Sequence, residues 1–227
     1  MLYFGENMKR KPTIAGRPHE ALLVVDIQPD FLPGGALPVA GADAILSPIR
    51  RLMESGRFER MVAVQDWHPP DHVSFASNHP GRKPLDSIVL HGHEQTLWPD
   101  HCVQGTSGAE LHSALPWNRA GAIIRKAMDP ATDSYSAFRN NWDRGGKRPP
   151  TGLSGYLKNL GVKHVFICGL ARDYCVNWSA EDAIEEGFRV TIVWDLTRSI
   201  NPKEDRKLRS ELSARGVRIA STAEVHG

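Results

Sequence analysis

Cys175 stands where a strand-like run gives way to a helix-like one, a position at which a thiol can become a nucleophile. In HVFICGLARDYCVNWSAEDAIEE, residues 164–186, His164 to Cys168 is a short β-branched and apolar run that Gly169 ends. Val176, Ala180, Ala183 and Ile184 then recur at helical spacing, which puts Cys175 in the first turn of a helix. Unpaired N–H groups and the positive end of the helix dipole there are expected to lower the thiol pKa. The plain alternative is a small buried hydrophobe, the usual role of a free cysteine, and Cys168 inside the strand fits that better. A nucleophile of this kind also needs a base. Asp26 lies at the end of the apolar run Ala21–Ile27, where a carboxylate must be hydrogen-bonded or at work; a capping aspartate is the competing reading. Lys126 closes the run Ala120–Lys126, and the buried character of AGAIIR argues against an ordinary surface lysine.

A second group has the composition of a metal site. Asp66, His68 and His72 fall within DWHPPDH, and His101 follows in LWPDHCVQGT. One carboxylate with two or three imidazoles suits Zn²⁺, Fe²⁺ or Mn²⁺ and leaves positions for water or substrate. The chain has ten histidines, and His79, His91, His93 and His112 crowd the same polar region, so a solvated histidine-rich loop is the alternative. The connection from Pro69 to Gly108 reads as long and without regular structure, and such loops are commonly lids or binding loops, which favours the metal.

These residues need a frame to bring them together. The strand Ala21–Ile27 is followed by QPDFLPGGALPVAG, a loop holding Phe31, and by a helix around Asp43–Glu54 in which Pro48 marks a first turn or a kink. Strands are expected at Arg60–Gln65 and Ala120–Lys126, a helix at Gly152–Leu160 and the central strand at 164–168. A strand at Arg189–Asp195, a helix at Pro202–Arg215 and a short strand at Val217–Ala220 complete the chain. This order predicts an α/β fold, three-layer α/β/α and doubly wound, around a mostly parallel sheet of about six strands. Asp26, Asp66, Lys126 and Cys175 all fall at its carboxyl edge, where such folds bind ligands.

Composition excludes several classes. The 227 residues, 41% hydrophobic, suit one globular domain, expected over 19–227 after a flexible basic extension at 1–18. A net charge of +2, spread along the chain, does not indicate a nucleic-acid groove. Apolar runs such as ALLVV are too short to span a membrane, and the start lacks the apolar stretch of a signal peptide. Three cysteines, an odd number, fit a reducing cytoplasm with no disulfide.

Five stretches in this order, VVDIQPDF, VQDWHPPDHVSFASNHPG, LWPDHCVQGT, IIRKAMDPATDSYSAF and FICGLARDYCV, resemble the cysteine-hydrolase superfamily that contains isochorismatases and nicotinamidases. Within it the nicotinamidase/pyrazinamidase family is the most similar. The resemblance implies the isochorismatase-like hydrolase fold and a metal-dependent amidase converting nicotinamide, or its analogue pyrazinamide, to the acid and ammonia through a thioester on Cys175. It implies Asp26 as general base, Lys126 as the bridge that stabilises the thiolate, and the N–H groups of Ala171 and Cys175 as oxyanion hole beside a cis peptide before Ala171. Asp66, His68 and His101 are similar to the family's metal ligands, and His72 matches a position that also reaches the metal in some members. Zinc is the first choice of ion, with iron or manganese as alternatives, and the ion is expected to hold the pyridine nitrogen and water. Phe31 and Trp98 are similar to aromatic walls of the substrate slot, and Tyr135 is expected beside them. Pro29 stands where the family commonly has Asn and Arg172 where it has Thr, which leaves room for altered pocket polarity at Arg172. The expected partner is a small-molecule substrate, and a homo-oligomer is expected. An amidase of another small carbamoyl or ureido compound, or a catalytically silent metal-binding member, are the alternatives.

Overall fold

EALLVV, Glu20–Val25, forms β1, and all six residues are buried, as a parallel strand covered on both faces requires. The computed structural model describes residues 17–226, so the extension expected at 1–18 lies outside the described residues except for Arg17 and Pro18. β1 pairs with β2 (Arg60–Asp66) on one side, and β2 pairs in turn with the edge strand β5 (Ala122–Lys126). On its other side β1 pairs with β6 (His164–Leu170), followed by β7 (Arg189–Arg198) and β8 (Arg218–Ala220). The sheet order is therefore β5-β2-β1-β6-β7-β8, and every neighbouring pair is parallel.

Alternation along the strands divides the core into two layers. Leu22 and Val24 of β1 and Phe166 and Cys168 of β6 pack with Ile49, Leu52 and Met53 of α1 (Leu46–Glu54) and Val225 of α5 (Thr222–His226). Leu23, Val25, Val165 and Ile167 face α2 (Leu153–Asn159), α3 (Asn177–Glu185) and α4 (Asp205–Ala214) through Leu157, Ala180, Ala183 and Leu212. This is the expected three-layer, doubly wound arrangement. Pro48 occupies the first turn of α1, where its missing N–H costs no helical bond. Among the described residues no helix is long and apolar enough to cross a membrane.

Three features depart from expectation. The segment 69–108 is not without regular structure: β3 (Ser87–Leu90) and β4 (His93–Thr96) form an antiparallel hairpin within it. Cys175 lies in a π-helical turn, Arg172–Val176, ahead of α3. Gly169 does not end the central strand but lies inside β6, where the register with β7 shifts. Its φ is +115°, and a Cβ there would lie 2.0 Å from the Val25 carbonyl oxygen, so β1 and β6 can approach at this point only around glycine. Gly169→Ala is expected to destabilise the protein by about 3 kcal/mol or more, combining a forbidden φ with a backbone clash. A urea unfolding midpoint equal to that of the parent would contradict this.

Candidate active site

The strand order reverses between β1 and β6, and the crevice beyond their carboxyl ends is where a doubly wound sheet takes its ligands. β1 delivers Asp26 there, β6 delivers the turn Ala171–Cys175, β2 ends in Asp66 and β5 in Lys126. Asp66 and Lys126 are direct partners in the β2–β5 register. All four catalytic and metal candidates at the strand ends are buried.

Lys126 is the hub. Its ammonium lies 3.0 Å from an Asp26 carboxylate oxygen and 3.4 Å from Cys175 Sγ. It also donates to Asp66 Oδ1 and, at 3.3 Å, to the Ser134 carbonyl. Asp26, Asp66 and Cys175 offer ligand atoms that all lie within 4.8 Å of one another. Two carboxylates around one ammonium hold Lys126 well above its usual pKa even though burial opposes its charge. Burial raises the Asp26 carboxyl to about 6, with Lys126 pulling it down and Asp66 pushing it up. Asp66 is held far below the ordinary carboxylate range, because Lys126 and His68 outweigh the effect of its burial.

The expectation of a depressed Cys175 thiol is not met. Burial pushes it up, Lys126 opposes this, and the neighbouring Asp26 and Asp66 charges add to the rise. The helix-start argument fails because desolvation of a buried thiolate beside two carboxylates exceeds what the first N–H groups of one turn supply. Asp26 offers a carboxylate near enough to Cys175 to take a proton from such a thiol. Cys168 and Cys102 are buried, and burial raises both thiols too.

The metal candidates converge because two loops pair. His68 N–H donates to the Cys102 carbonyl at 3.0 Å, and Gln104 N–H to the His68 carbonyl at 2.8 Å, so His68 and His101 meet with ring centroids 4.7 Å apart. Donor atoms of Asp66, His68 and His101 lie within 4.8 Å of one another. His101 Nδ1 lies 2.8 Å from the Pro99 carbonyl, which fixes a proton there and turns the Nε2 lone pair to Asp66 Oδ2 at 3.5 Å. A carboxylate oxygen and an imidazole nitrogen facing each other in a buried site are a donor pair that a cation between them would satisfy. His68 Nδ1 is buried without a hydrogen-bond partner, another donor atom waiting for an electrophile. The residues therefore fit a divalent metal ion. His72 is placed differently: it groups with His68 and Asp133 rather than with Asp66 and His101. Its Nδ1 lies 2.8 Å from Ser74 Oγ, and burial lowers its pKa to about 4.

Asp66, His68, His101, Ala171 and Cys175 line one small cavity, together with the expected aromatic residues Phe31, Trp98 and Tyr135. Trp98 Nε1 donates to the Tyr135 hydroxyl at 3.2 Å, which joins two of the walls. Leu37, Tyr174 and Ile200 complete an apolar slot. The peptide between Leu170 and Ala171 is cis, as expected. Arg172 is absent from the lining. Its guanidinium donates to Thr197 Oγ1 at 2.7 Å, to the Trp194 carbonyl at 3.0 Å and to Asp205, so it ties the turn that carries Cys175 to β7 and α4 instead of altering pocket polarity.

Sequence reasoning passed over three supporting residues. Gln28 brackets the Asp66 peptide, accepting from its N–H and donating to its carbonyl, both at 2.8 Å. Asp30 accepts from the Cys102 N–H at 2.7 Å and so holds the His101 loop. Asp133 lies 3.9 Å from His68 Nε2, and the nearby imidazoles of His68 and His72, with the Ser134 N–H, hold its carboxyl down at about 2 despite burial. The Asp-x-Gln-x-Asp spacing of residues 26, 28 and 30 was the available signal for the first two. Backbone in the left-handed region clusters here as well: Asp26, Cys102 and Ala127 have φ of 50°, 46° and 56°, each at or beside a candidate residue, as strained functional sites often show.

A doubly wound sheet with an Asp–Lys–Cys group at its switch point defines a cysteine hydrolase of the isochorismatase class. The isochorismatase domain signature matches residues 20–224, and the chain belongs to that family. Its relatives there include nicotinamidases. It is 45% identical over 206 residues to the nicotinamidase of Acinetobacter baylyi, covering 90% of this chain and 94% of that protein. In structure it is similar to the Acinetobacter baumanii nicotinamidase/pyrazinamidase, with a TM-score of 0.86 and 41% identity over 92% of this chain and 99% of that one. The Pyrococcus horikoshii pyrazinamidase, solved in complex with zinc, has a TM-score of 0.72 and 38% identity over 90% of this chain and 99% of that one.

Proposed function

We propose that this protein is a nicotinamidase, a metal-dependent hydrolase that converts nicotinamide to nicotinate and ammonia, with pyrazinamide as an analogue substrate. The observation that carries the reading is the Lys126 ammonium 3.0 Å from Asp26 and 3.4 Å from Cys175 Sγ, beside a cavity that holds both the nucleophile and the metal candidates. The aromatic slot of Phe31, Trp98 and Tyr135 binds the flat ring and presents the amide carbon to Cys175. Asp26 takes the thiol proton as Sγ attacks, while Lys126 balances the charge that passes from sulfur to carboxylate. Backbone N–H groups of Ala171 and Cys175 receive the negative oxygen of the tetrahedral intermediate. Asp26 returns the proton to the nitrogen as the C–N bond breaks, ammonia leaves, and a thioester remains. Water, deprotonated by Asp26, then attacks the thioester and releases nicotinate and the free thiol. Asp66, His68 and His101 would hold a divalent ion, which would supply a Lewis acid for the pyridine nitrogen and for water. Zinc as the ion, a single domain over 19–227, a cytoplasmic location and a homo-oligomeric assembly complete the proposal; elemental analysis, limited proteolysis, fractionation and light scattering test these four.

Ammonia release from nicotinamide by the purified protein, with metal content measured on the same sample, tests the whole reading. No release from metal-loaded protein would overturn it. Asp26→Asn keeps the shape of the side chain but removes the proton acceptor, and is expected to lower kcat/KM by at least about 100-fold. A loss below about tenfold would demote Asp26 to a structural carboxylate.

A further inference from the structure

At the amino edge of the sheet, remote from the crevice, the first residues of four parallel strands bring charged side chains together. Glu20 of β1 is in register with His164 of β6, and His164 with Arg189 of β7. Thr191, two residues further along β7, is in register with Arg218 of β8. Registered residues of parallel neighbours project to one face, so Glu20, His164, Arg189 and Arg218 share the face that α1 and α5 cover. Arg57, just past α1, and Glu224 and Val225 of α5 enclose them in a cavity of about 430 Å³, within the roughly 300–1,000 Å³ of small-molecule sites. Phe166 supplies an apolar wall, with the His164 ring lying on it at 4.3 Å between centroids.

The charge in this cavity is unbalanced. Among the described residues Arg17, Arg57, Arg189 and Arg218 line it against only Glu20 and Glu224, which leaves two positive charges over. Glu20 already has Arg57 at 2.6 Å and Arg17 at 3.8 Å. Glu224 accepts from the Ser221 N–H and hydroxyl at 2.7 and 2.8 Å. Arg189 and Arg218 make no ion pair among the described residues. Burial, with the fields of Arg189, Arg218 and Arg57 added to it, pushes the His164 imidazole down to about 4 over the opposing pull of Glu20. The segment that leads into Arg17 carries Lys9, Arg10 and Lys11 against Glu6, so its own sequence does not provide the missing negative charge.

We propose that this cavity is a second ligand site that binds a phosphate group, free or esterified to a small molecule, with Arg189 and Arg218 as its principal contacts. A phosphate monoester carries close to two negative charges at neutral pH, which matches the surplus. Guanidinium forks meet phosphate oxygens in pairs, and long side chains from adjacent strands reach one such group together. Phe166 and Val225 offer apolar surface to the body of an ester. The site shares no residue with the catalytic cavity and does not rest on the amidase reading.

Calorimetric titration of the full-length, metal-loaded protein with inorganic phosphate and with adenosine monophosphate, in buffers matched in ionic strength with NaCl, tests it. Saturable binding of either probe is expected, weakened at least tenfold in Arg189→Gln/Arg218→Gln. Both side chains are exposed, so ammonia release and the melting temperature in NaCl should be unchanged, and single Arg218→Gln serves if the double variant misfolds. Tighter binding of the nucleotide identifies an ester as the ligand; equal binding identifies the free ion. Absence of saturable binding above the NaCl control, or equal binding by parent and variants, would overturn the proposal.

Discussion

Cys175→Ala is expected to lower turnover by about 10⁴-fold or more, the scale on which removal of a covalent nucleophile acts. The fold should persist, because Cys175 borders the catalytic cavity and its loss opens no sealed hole in the core. Cys168→Ala and Cys102→Ala should keep most of the activity, since neither thiol lines that cavity. The measurement is ammonia release from nicotinamide by the three variants, with circular dichroism to verify folding. Release by folded Cys175→Ala near the parent rate would sink the thioester mechanism, because no other cysteine lies within reach of Lys126 and Asp26.

His68→Ala and His101→Ala should each lose the bound ion and about 100-fold in kcat/KM, the cost of a misplaced amide. If the ion orients the ring and does not attack, KM should rise while kcat falls. His72→Ala should behave differently. His72 leans on Ser74 and shares Asp133 with His68, so its loss should weaken metal affinity by about tenfold, as removal of an outer support does, without emptying the site. Elemental analysis beside the kinetics separates these cases. Full occupancy in both His68→Ala and His101→Ala would refute the Asp66–His68–His101 site.

The central strands were legible because a parallel sheet buried on both faces admits little but apolar residues: ALLVV and HVFIC could be placed within one or two positions. The hairpin of SIVLHGHEQT was not. Only Gln95 among its strand residues is buried, so no buried apolar face marks the strands in the sequence. Gly169 looked like a strand end because glycine usually punctuates, whereas here it admits the Val25 carbonyl. At the site, residue types and order located Asp26, Asp66, His68, His101, Lys126 and Cys175 in one crevice. What sequence could not give was the contact between Lys126 and Asp66, sixty positions apart, which follows only from the β2–β5 register. The direction of the Cys175 thiol shift was misjudged for a related reason: local helix geometry was visible, but the two buried carboxylates beside it come from other strands.

That contact has a consequence for how this protein can vary. One ammonium serves as counterion to two anions at once, Asp26 on the side of the thiol and Asp66 on the side of the imidazoles. Neither half can be retuned alone. A substitution that shifts Lys126 toward Asp66 takes charge compensation from Asp26, and one that draws it toward Asp26 leaves Asp66 more available to an ion. In the proposed mechanism ion affinity and thiol reactivity are therefore tied by a single charge, and descendants of this chain are expected to keep Asp26, Asp66 and Lys126 together or to lose them together.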